Sequence, residues 1–518
     1  MESPELKRIL ESYAAAATLK TNWTTKWQEC YDYALPNRAG FFGRTPGEDN
    51  TNAIFDSTAV QATAEFASRM QAGLTPPFAK WFEFKAGSEI PAAQRSEVDE
   101  VLEEVALYIW EILQASNMDQ ELHEGYLDLS VGTAAMLIEE GDITQPLKFT
   151  TIPQPQFVLA AGPYGMIDRF YRSRKMRVID MQVVWPGISI PSEMLSVAQE
   201  KPEQTFEVIE CVARDWQNKT QEKHDFNVIS PEHKEIMFKS EFVGDGASPL
   251  VAFRWSKASG EVYGRGPLFN AMPDVKTLNM VVELMLENAH MAIAGMWQSD
   301  DNGVLNPDTI DLMPGTIIPR APGSDGLSPL APPGNFDVSQ FIMQDMRTTI
   351  KKSLFNESLG APEGTPMSAT EVHERMADLA RTIGSAYGRL HTELVTPLLR
   401  RVVYLLKKQG KIQIPLVNGR EVKIINVSPL AQAQHNENVA RVARWLELMN
   451  GGFGPQMTNV VTKANETASY VGKEIGIPEK LIRTDAEQEQ IIQAIQNTAE
   501  QSQGQAAAQG QQGGQQGG

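Results

Sequence analysis

Apolar positions along this chain change rhythm several times, and each change marks a boundary. Trp23, Trp27 and Tyr31 stand four residues apart, which predicts a helix whose aromatic stripe faces a core. The stretch Leu35-Pro36-Asn37-Arg38-Ala39-Gly40 breaks it, and a second helix is expected from Ser57 to Ala72, stopped by Thr75-Pro76-Pro77. Val98, Leu102, Val105, Ile109 and Leu113 then define an amphipathic helix over Ser96 to Ser116, with Ser96 as its cap. From Phe149 to Tyr263 the pattern shortens to strand-like runs such as Phe206 to Val212 and Ile236 to Phe242, punctuated by glycine and proline turns.

Beyond Pro273, read as a first-turn proline, the helical period returns and holds to Met296. Val275, Leu278, Val282, Met285, Ala289 and Ile293 form one stripe, and Val281, Leu284 and Leu286 widen it, so this rod of about 35 Å must be covered on more than one side. The stretch from Gly295 to Asn335 holds seven prolines and six glycines and cannot be helical. A second helix follows over residues 336–356, with Val338, Ile342, Met346, Ile350 and Leu354 at every fourth position. Two helices flanking an irregular, acidic tip predict a helical hairpin.

A short loop leads to the capping box Ser368-Ala369-Thr370-Glu371 and to a long helix that Pro397 should kink, because proline cannot donate to the carbonyl of Glu393. A β-hairpin is expected from Lys411–Pro415 and Glu421–Val427 around Asn418-Gly419, then helices near Pro429–Asn450, Gln456–Glu474 and Asp485–Glu500. Residues 501–518 are nearly all Gln, Gly and Ala and predict a flexible tail.

Composition narrows the function. The chain has 518 residues and a formal charge of -19, so as a whole it repels nucleic acid. Its one dense basic cluster, Arg169, Arg172, Arg174, Lys175 and Arg177, reads first as the solvated face of a strand pair and second as a contact for DNA or a capsid neighbour. The N-terminus lacks the basic start and apolar centre of a secretion signal, no apolar run is long enough for a membrane span, and Cys30 and Cys211 give no disulfide framework. Gly410-Lys411 and Gly472-Lys473 lack the rest of a phosphate loop. His123-Glu124 and His373-Glu374 lack the second histidine of a zinc protease helix, and no G-x-S-x-G elbow occurs. Neither catalytic residues nor a cofactor or metal site is expected, and the chain reads as a non-enzyme.

Three stretches carry a resemblance: Ala53-Ile54-Phe55-Asp56-Ser57-Thr58 with Leu74-Thr75-Pro76-Pro77 and Lys80-Trp81-Phe82; Tyr263-Gly264-Arg265-Gly266-Pro267 with Leu278-Asn279; and Met367-Ser368-Ala369-Thr370-Glu371-Val372. In this order the chain resembles the portal proteins of tailed bacteriophages, in the head-to-tail connecting family of short-tailed phages. The resemblance implies an α+β, predominantly helical portal fold that assembles as a ring. It implies a wing over 1–272 containing the β-rich region 149–263, a stem of 273–296 and 336–356, and a clip over 297–335. It also implies a tunnel loop over 357–367, further wing over 368–428, and a crown over 429–500. Twelve copies of -19 would give the ring about -228.

By the same resemblance the ring conducts double-stranded DNA during packaging and ejection, docks the terminase large subunit and later tail adaptor and tail proteins, and meets major capsid, scaffolding and internal core proteins. The virion, after assembly in the host cytoplasm, is the implied location, with no membrane partner. Lys351 and Lys352 are the channel candidates. Ser358, Leu359, Gly360, Ala361, Pro362, Glu363, Gly364, Thr365 and Pro366 match the tunnel loop, and Asp300, Asp301, Asp308 and Asp311 are candidate docking carboxylates in the clip. The competing readings are another ring-forming head-tail adaptor and a DNA-processing enzyme of the packaging machinery.

Overall fold

The computed structural model describes residues 3–38, 40–42, 47, 50–91, 94–142, 144–294, 297–299, 327–329, 336–356, 383–414, 421–475 and 491. Helix α1 (Pro4–Ala34) begins at the Ser3 cap, whose hydroxyl accepts from the Leu6 amide, and turns Trp27 and Tyr31 fully inward as their spacing predicts. It is followed by α2 (Thr58–Leu74), β1 (Phe82–Ala86), α3 (Arg95–Gln114) and α4 (Met118–Val131). Because α3 starts at Arg95, Ser96 lies inside the helix and does not cap it.

Two antiparallel sheets fill the centre. The smaller has the order β3-β2-β9, from β2 (Thr133–Glu140), β3 (Leu147–Ile152) and β9 (Leu250–Arg254). The larger is a meander of β4 (Phe157–Ala161), β5 (Ile167–Arg177), β6 (Thr205–Arg214), β7 (Lys223–Ser230) and β8 (Glu235–Val243). Strand structure therefore starts earlier than Phe149, and the β-rich region also contains α5 (Val178–Val184) and α6 (Ser192–Glu200) over a satellite core of Met181, Trp185, Met194 and Val228.

Sheet edges need their backbone groups satisfied, and side chains do this here. Buried Lys20 on α1 donates to the carbonyls of Gln154, Pro155 and Phe157 at 2.8, 3.0 and 2.7 Å, and the Leu159 amide donates to the Tyr263 hydroxyl at 2.9 Å, closing the β4 edge. Asn117 exchanges bonds with both backbone groups of Phe149, and Glu121 accepts from the Thr151 amide, closing the β3 edge.

The rod predicted to open at Pro273 begins at Pro267 instead: α7 runs Pro267–Ala294 and holds Pro273 in its interior. The chain offered two prolines six residues apart, and the earlier one takes the start because Gly266 is pinned against the body. The Gly266 amide donates to the Val131 carbonyl at 2.9 Å, and a Cβ at Gly266 would overlap the Ser130 carbonyl. Helix α8 (Phe336–Ser353) packs against α7, and a short ribbon of β10 (Trp297–Ser299) and β11 (Leu327–Pro329) pairs antiparallel between them.

The last part departs further from expectation. The expected start of the long helix at Ser368–Glu371 lies outside the described residues; its described part comprises α9 (Gly384–Leu390), a π turn (His391–Val395) and α10 (Thr396–Lys408), with the irregularity next to Pro397. The expected local hairpin is not seen among the described residues. Residues 411–414 are not a strand, and β12 (Val422–Asn426) pairs antiparallel with β1, more than 300 residues away in sequence, matching Phe82 to Asn426 and Ala86 to Val422. The helical stretch α11 (Pro429–Val461) is broken by non-helical Gly454 (φ 79, ψ 162), inside the gap predicted at Gly451–Pro455, and α12 (Ala464–Ile475) follows.

Gly266→Ala is expected to lower the thermal unfolding midpoint by several degrees, a cost on the order of 2–3 kcal/mol for forcing backbone apart. Gly388→Ala, on an open helical surface, should leave the midpoint unchanged or slightly raised; differential scanning calorimetry of both variants checks the contrast.

Candidate functional site

The base of the α7–α8 pair is where the sequence signatures converge. Asn279, 6% exposed, accepts from the amides of Phe55 (2.7 Å) and Asp56 (3.2 Å) and donates to the Ala53 carbonyl (2.9 Å). One amide side chain thus fixes the turn that leads into α2. Asp56 accepts the Thr58 amide at 2.9 Å through one carboxylate oxygen and Arg347 Nε and Nη2 at 2.9 and 2.7 Å through the other. Burial alone would raise the Asp56 carboxyl, but the Thr58 and Arg347 bonds outweigh it and hold it below its usual range. Just past the end of α8, Asn356 donates to the Ala62 carbonyl at 3.0 Å, and Arg69 donates to the carbonyl of Phe355, which is held at φ 61 against Trp255.

Asn279 also marks where burial stops. Leu268, Ala271, Met272, Val275 and Leu278 are in the core, but from Met280 to His290 no residue of α7 is buried, although the sequence stays apolar. Met280 and Leu284 are 60% and 51% exposed, and Leu286 is 55% exposed. At about 100° per residue, Leu284 and Leu286 point to nearly opposite sides of the helix. On α8, Phe341 and Ile342 are also exposed, while Met343 and Ile350 are buried. The outer half of the pair therefore shows two separate apolar faces to solvent.

Lys351 and Lys352 are exposed in the last turn of α8, Lys352 turned away from buried Ile350 and Lys351 on the flank beside it. Gln344 and Thr348 precede them as exposed, uncharged positions. Asp300, Asp301, Asp308 and Asp311, and the segment Ser358 to Pro366, lie outside the described residues. The basic cluster falls on β5 and is largely consumed inside the subunit. Arg169 bonds Ser12 and pairs with Asp168, Arg172 is buried, Arg174 pairs with Glu210, and Arg177 pairs with Asp180 and Glu203. Lys175 alone of the five is exposed, so the cluster is not the solvated strand face that its sequence suggests.

Arg347 was not singled out from sequence. Its signal was that it interrupts the apolar stripe of α8 between Met343 and Ile350, where a cation needs a partner. Among the described residues no group of three or more His, Cys, Asp or Glu is arranged to hold a metal ion, and no helix is long and apolar enough to cross a membrane.

A mixed helical and β body bearing an incompletely covered helical pair has the features of an assembly component. Residues 6–482 match the family pattern described as bacteriophage head to tail connecting protein, and the chain belongs to that family. It is 25% identical over 512 residues to the probable portal protein of Bordetella phage BPP-1, covering 93% of this chain and 89% of that one. It is 23% identical over 551 residues to the portal protein of Salmonella phage epsilon15, covering 98% and 95%. Among solved structures, a chain from the virion of a native gene transfer agent particle aligns with a TM-score of 0.36 and 11% identity, covering 82% of this chain and 92% of that one.

Asp56→Asn should destabilise the protein by about 1–3 kcal/mol at neutral pH, the range for a hydrogen bond to a charged group. Because the folded carboxyl lies below its unfolded value, its contribution is complete above about pH 4 and is lost as pH falls through the folded pKa. Wild type and Asp56→Asn are therefore expected to converge in acid-unfolding curves at the low-pH end.

Proposed function

We propose that this chain is the portal subunit of a tailed phage, one of a ring of identical copies, by family analogy twelve, through which double-stranded DNA enters and leaves the head. The observation that carries this reading is the outer part of α7–α8, with apolar faces on two nearly opposite sides and, from Met280 to His290, no α7 residue fully buried by the chain itself. A closed ring uses heterologous contacts, in which each copy presents two different surfaces to its two neighbours. Met280 with Leu284 on one side, and Leu286 with Phe341 and Ile342 elsewhere, supply such surfaces.

In this reading α7 and α8 are the stem, the β10–β11 ribbon belongs to the clip, and α11 and α12 form the crown. Asp300, Asp301, Asp308 and Asp311 of the clip dock the packaging motor and then tail proteins, the wing meets capsid proteins, and Ser358–Pro366 contributes the tunnel loop. The particle's portal vertex is the location. The chemistry required is mechanical and electrostatic, with no bond made or broken by the subunit. An acidic wall disfavours adhesion, while rings of Lys351 and Lys352 give weak phosphate contacts that centre a moving duplex.

Electron microscopy of the purified protein tests the reading, with rings bearing an axial hole expected and a monomer under all assembly conditions overturning it. Leu284→Glu is expected to abolish rings while leaving the subunit folded, because it puts a carboxylate into an interface that must be dry; sedimentation velocity and circular dichroism read the two effects separately. Lys351→Gln with Lys352→Gln should leave rings intact and reduce genome-filled heads several-fold, about the effect of losing weak phosphate contacts. Packaging and retention at wild-type yield would remove both lysines from the channel assignment.

A further inference from the structure

The helix spanning Gly384 to Lys408 has two arms with unequal anchorage. On α10, Leu398, Leu399, Val402, Val403, Leu405 and Leu406 are buried. Buried Arg401 donates to the carbonyls of Ile138 (3.1 Å) and Ala247 (2.7 Å), and Arg400 pairs with Asp245. In the described part of the other arm Ile383, Ala386 and Leu390 are buried and Tyr387 is half-buried against the core, with no buried arginine to tie it to the sheets. The π turn His391–Val395 lies between these arms, and its physical cause is Pro397. Proline has no N–H to give the Glu393 carbonyl, and its ring would collide with that carbonyl in a continuous α-helix. Widening the turn moves the carbonyl aside, with the Thr396 amide donating to His391 five residues back.

The turn is also gripped from outside. Glu393 accepts three bonds from Arg254 at the end of β9, from its amide at 3.1 Å, Nε at 3.0 Å and Nη2 at 2.6 Å. Arg254 is 4% exposed and passes its remaining Nη1 to the Val262 carbonyl at 2.9 Å, in the loop that leads into α7. Beside the turn lies a cavity of about 210 Å³, lined by Thr392, Glu393 and Pro397 on one side and by Phe170, Val212 and Leu250 of the two sheets on the other. A tightly packed interior would forbid movement here, and this space permits it.

We infer that the π turn is a hinge about which α9 moves while α10 stays fixed, and that the Glu393–Arg254 pair is the latch that sets its angle and couples it to the loop before α7. The functional part of this inference rests on the portal reading, because it makes the hinge a link between the body and the stem during DNA passage. Glu393 and Arg254 act here as positioning residues.

Hydrogen exchange of the full-length assembled protein separates the hinge from simple structural support. Glu393→Gln is expected to speed amide exchange over 384–395 by about tenfold or more while leaving 396–408 at wild-type rates. Pro397→Ala is expected to do the opposite, slowing exchange over 391–396 because a regular bond to Glu393 becomes available. Equal acceleration along 384–408 in Glu393→Gln, or wild-type exchange in both variants, would overturn the hinge. In phage assembly, Pro397→Ala rings should form normally and yield several-fold fewer genome-filled heads. Normal yields from a turn shown to be stiffened would refute the coupling, whereas absence of rings from the wild-type protein would refute the portal reading and leave the exchange result standing.

Discussion

The junction at Asn279 is the constraint on which the hairpin depends. A helix of 28 residues, about 42 Å long, leaves the body with its full burial ending at Asn279, none of residues 280–290 being buried, so its direction is set there. Asn279 satisfies three backbone groups of the Ala53–Asp56 turn, and Asp56 in turn holds Arg347 of the returning helix. Both helices are thereby tied to the start of α2 by bonds with fixed directions, which apolar packing alone does not provide. Asn356 and Arg69 fasten the far end of α8 to the same helix, so α2 holds the hairpin at two levels.

The helices were legible because a buried stripe at a period of 3.6 leaves its mark wherever one face meets a core. That explains the good reading of α1, α2, α7 and α8, and of strands such as β6 and β8. The errors have nameable causes. Pro267 and Pro273 are equally good first-turn residues, and only the backbone contact of Gly266 with Ser130 and Val131 decides between them. Asn418-Gly419 suggested a local turn, but β12 gains more from β1, whose Phe82 and Phe84 are already buried; a partner over 300 residues distant leaves no periodic trace. Of the functional junction, Asp56 and Asn279 stood within noticed motifs, while Arg347 was hidden because an ion pair across the fold has no fixed sequence spacing. The kink at Pro397 followed from proline chemistry; its resolution as a π turn gripped by Arg254 needed the third dimension.

Surface chemistry separates what one chain can satisfy from what it cannot. Sheet edges β3 and β4 are closed by the subunit's own side chains, Asn117, Glu121, Lys20 and Tyr263. Such internal closure prevents edge pairing with foreign strands. Apolar helix surfaces are left open by contrast. Met280, Leu284 and Phe341 on the hairpin and Trp445, Leu448, Phe453 and Val460 on α11 are all exposed. Burying one such side chain is worth about 1.5–3 kcal/mol, so in the proposed ring a few per interface would give a substantial drive to associate.

In the proposed ring, charge would decide how DNA is treated. The subunit carries -19, yet at physiological salt exposed charges are screened beyond about 8 Å, so the total is felt by a duplex only where it approaches the wall. What the duplex meets there is set by local side chains. If α8 lines the channel, its exposed polar residues are Gln344, Asp345, Thr348 and Thr349, then Lys351 and Lys352. Two lysines per copy in twelvefold repetition would place about 24 cations at one level by that family analogy, enough to position a polyanion but confined to a single turn of helix. A channel basic along its whole length would bind DNA and stall it; one acidic throughout would give it no preferred axis. In the proposed ring, confining the cations to one level beside an acidic remainder would permit centring and passage together.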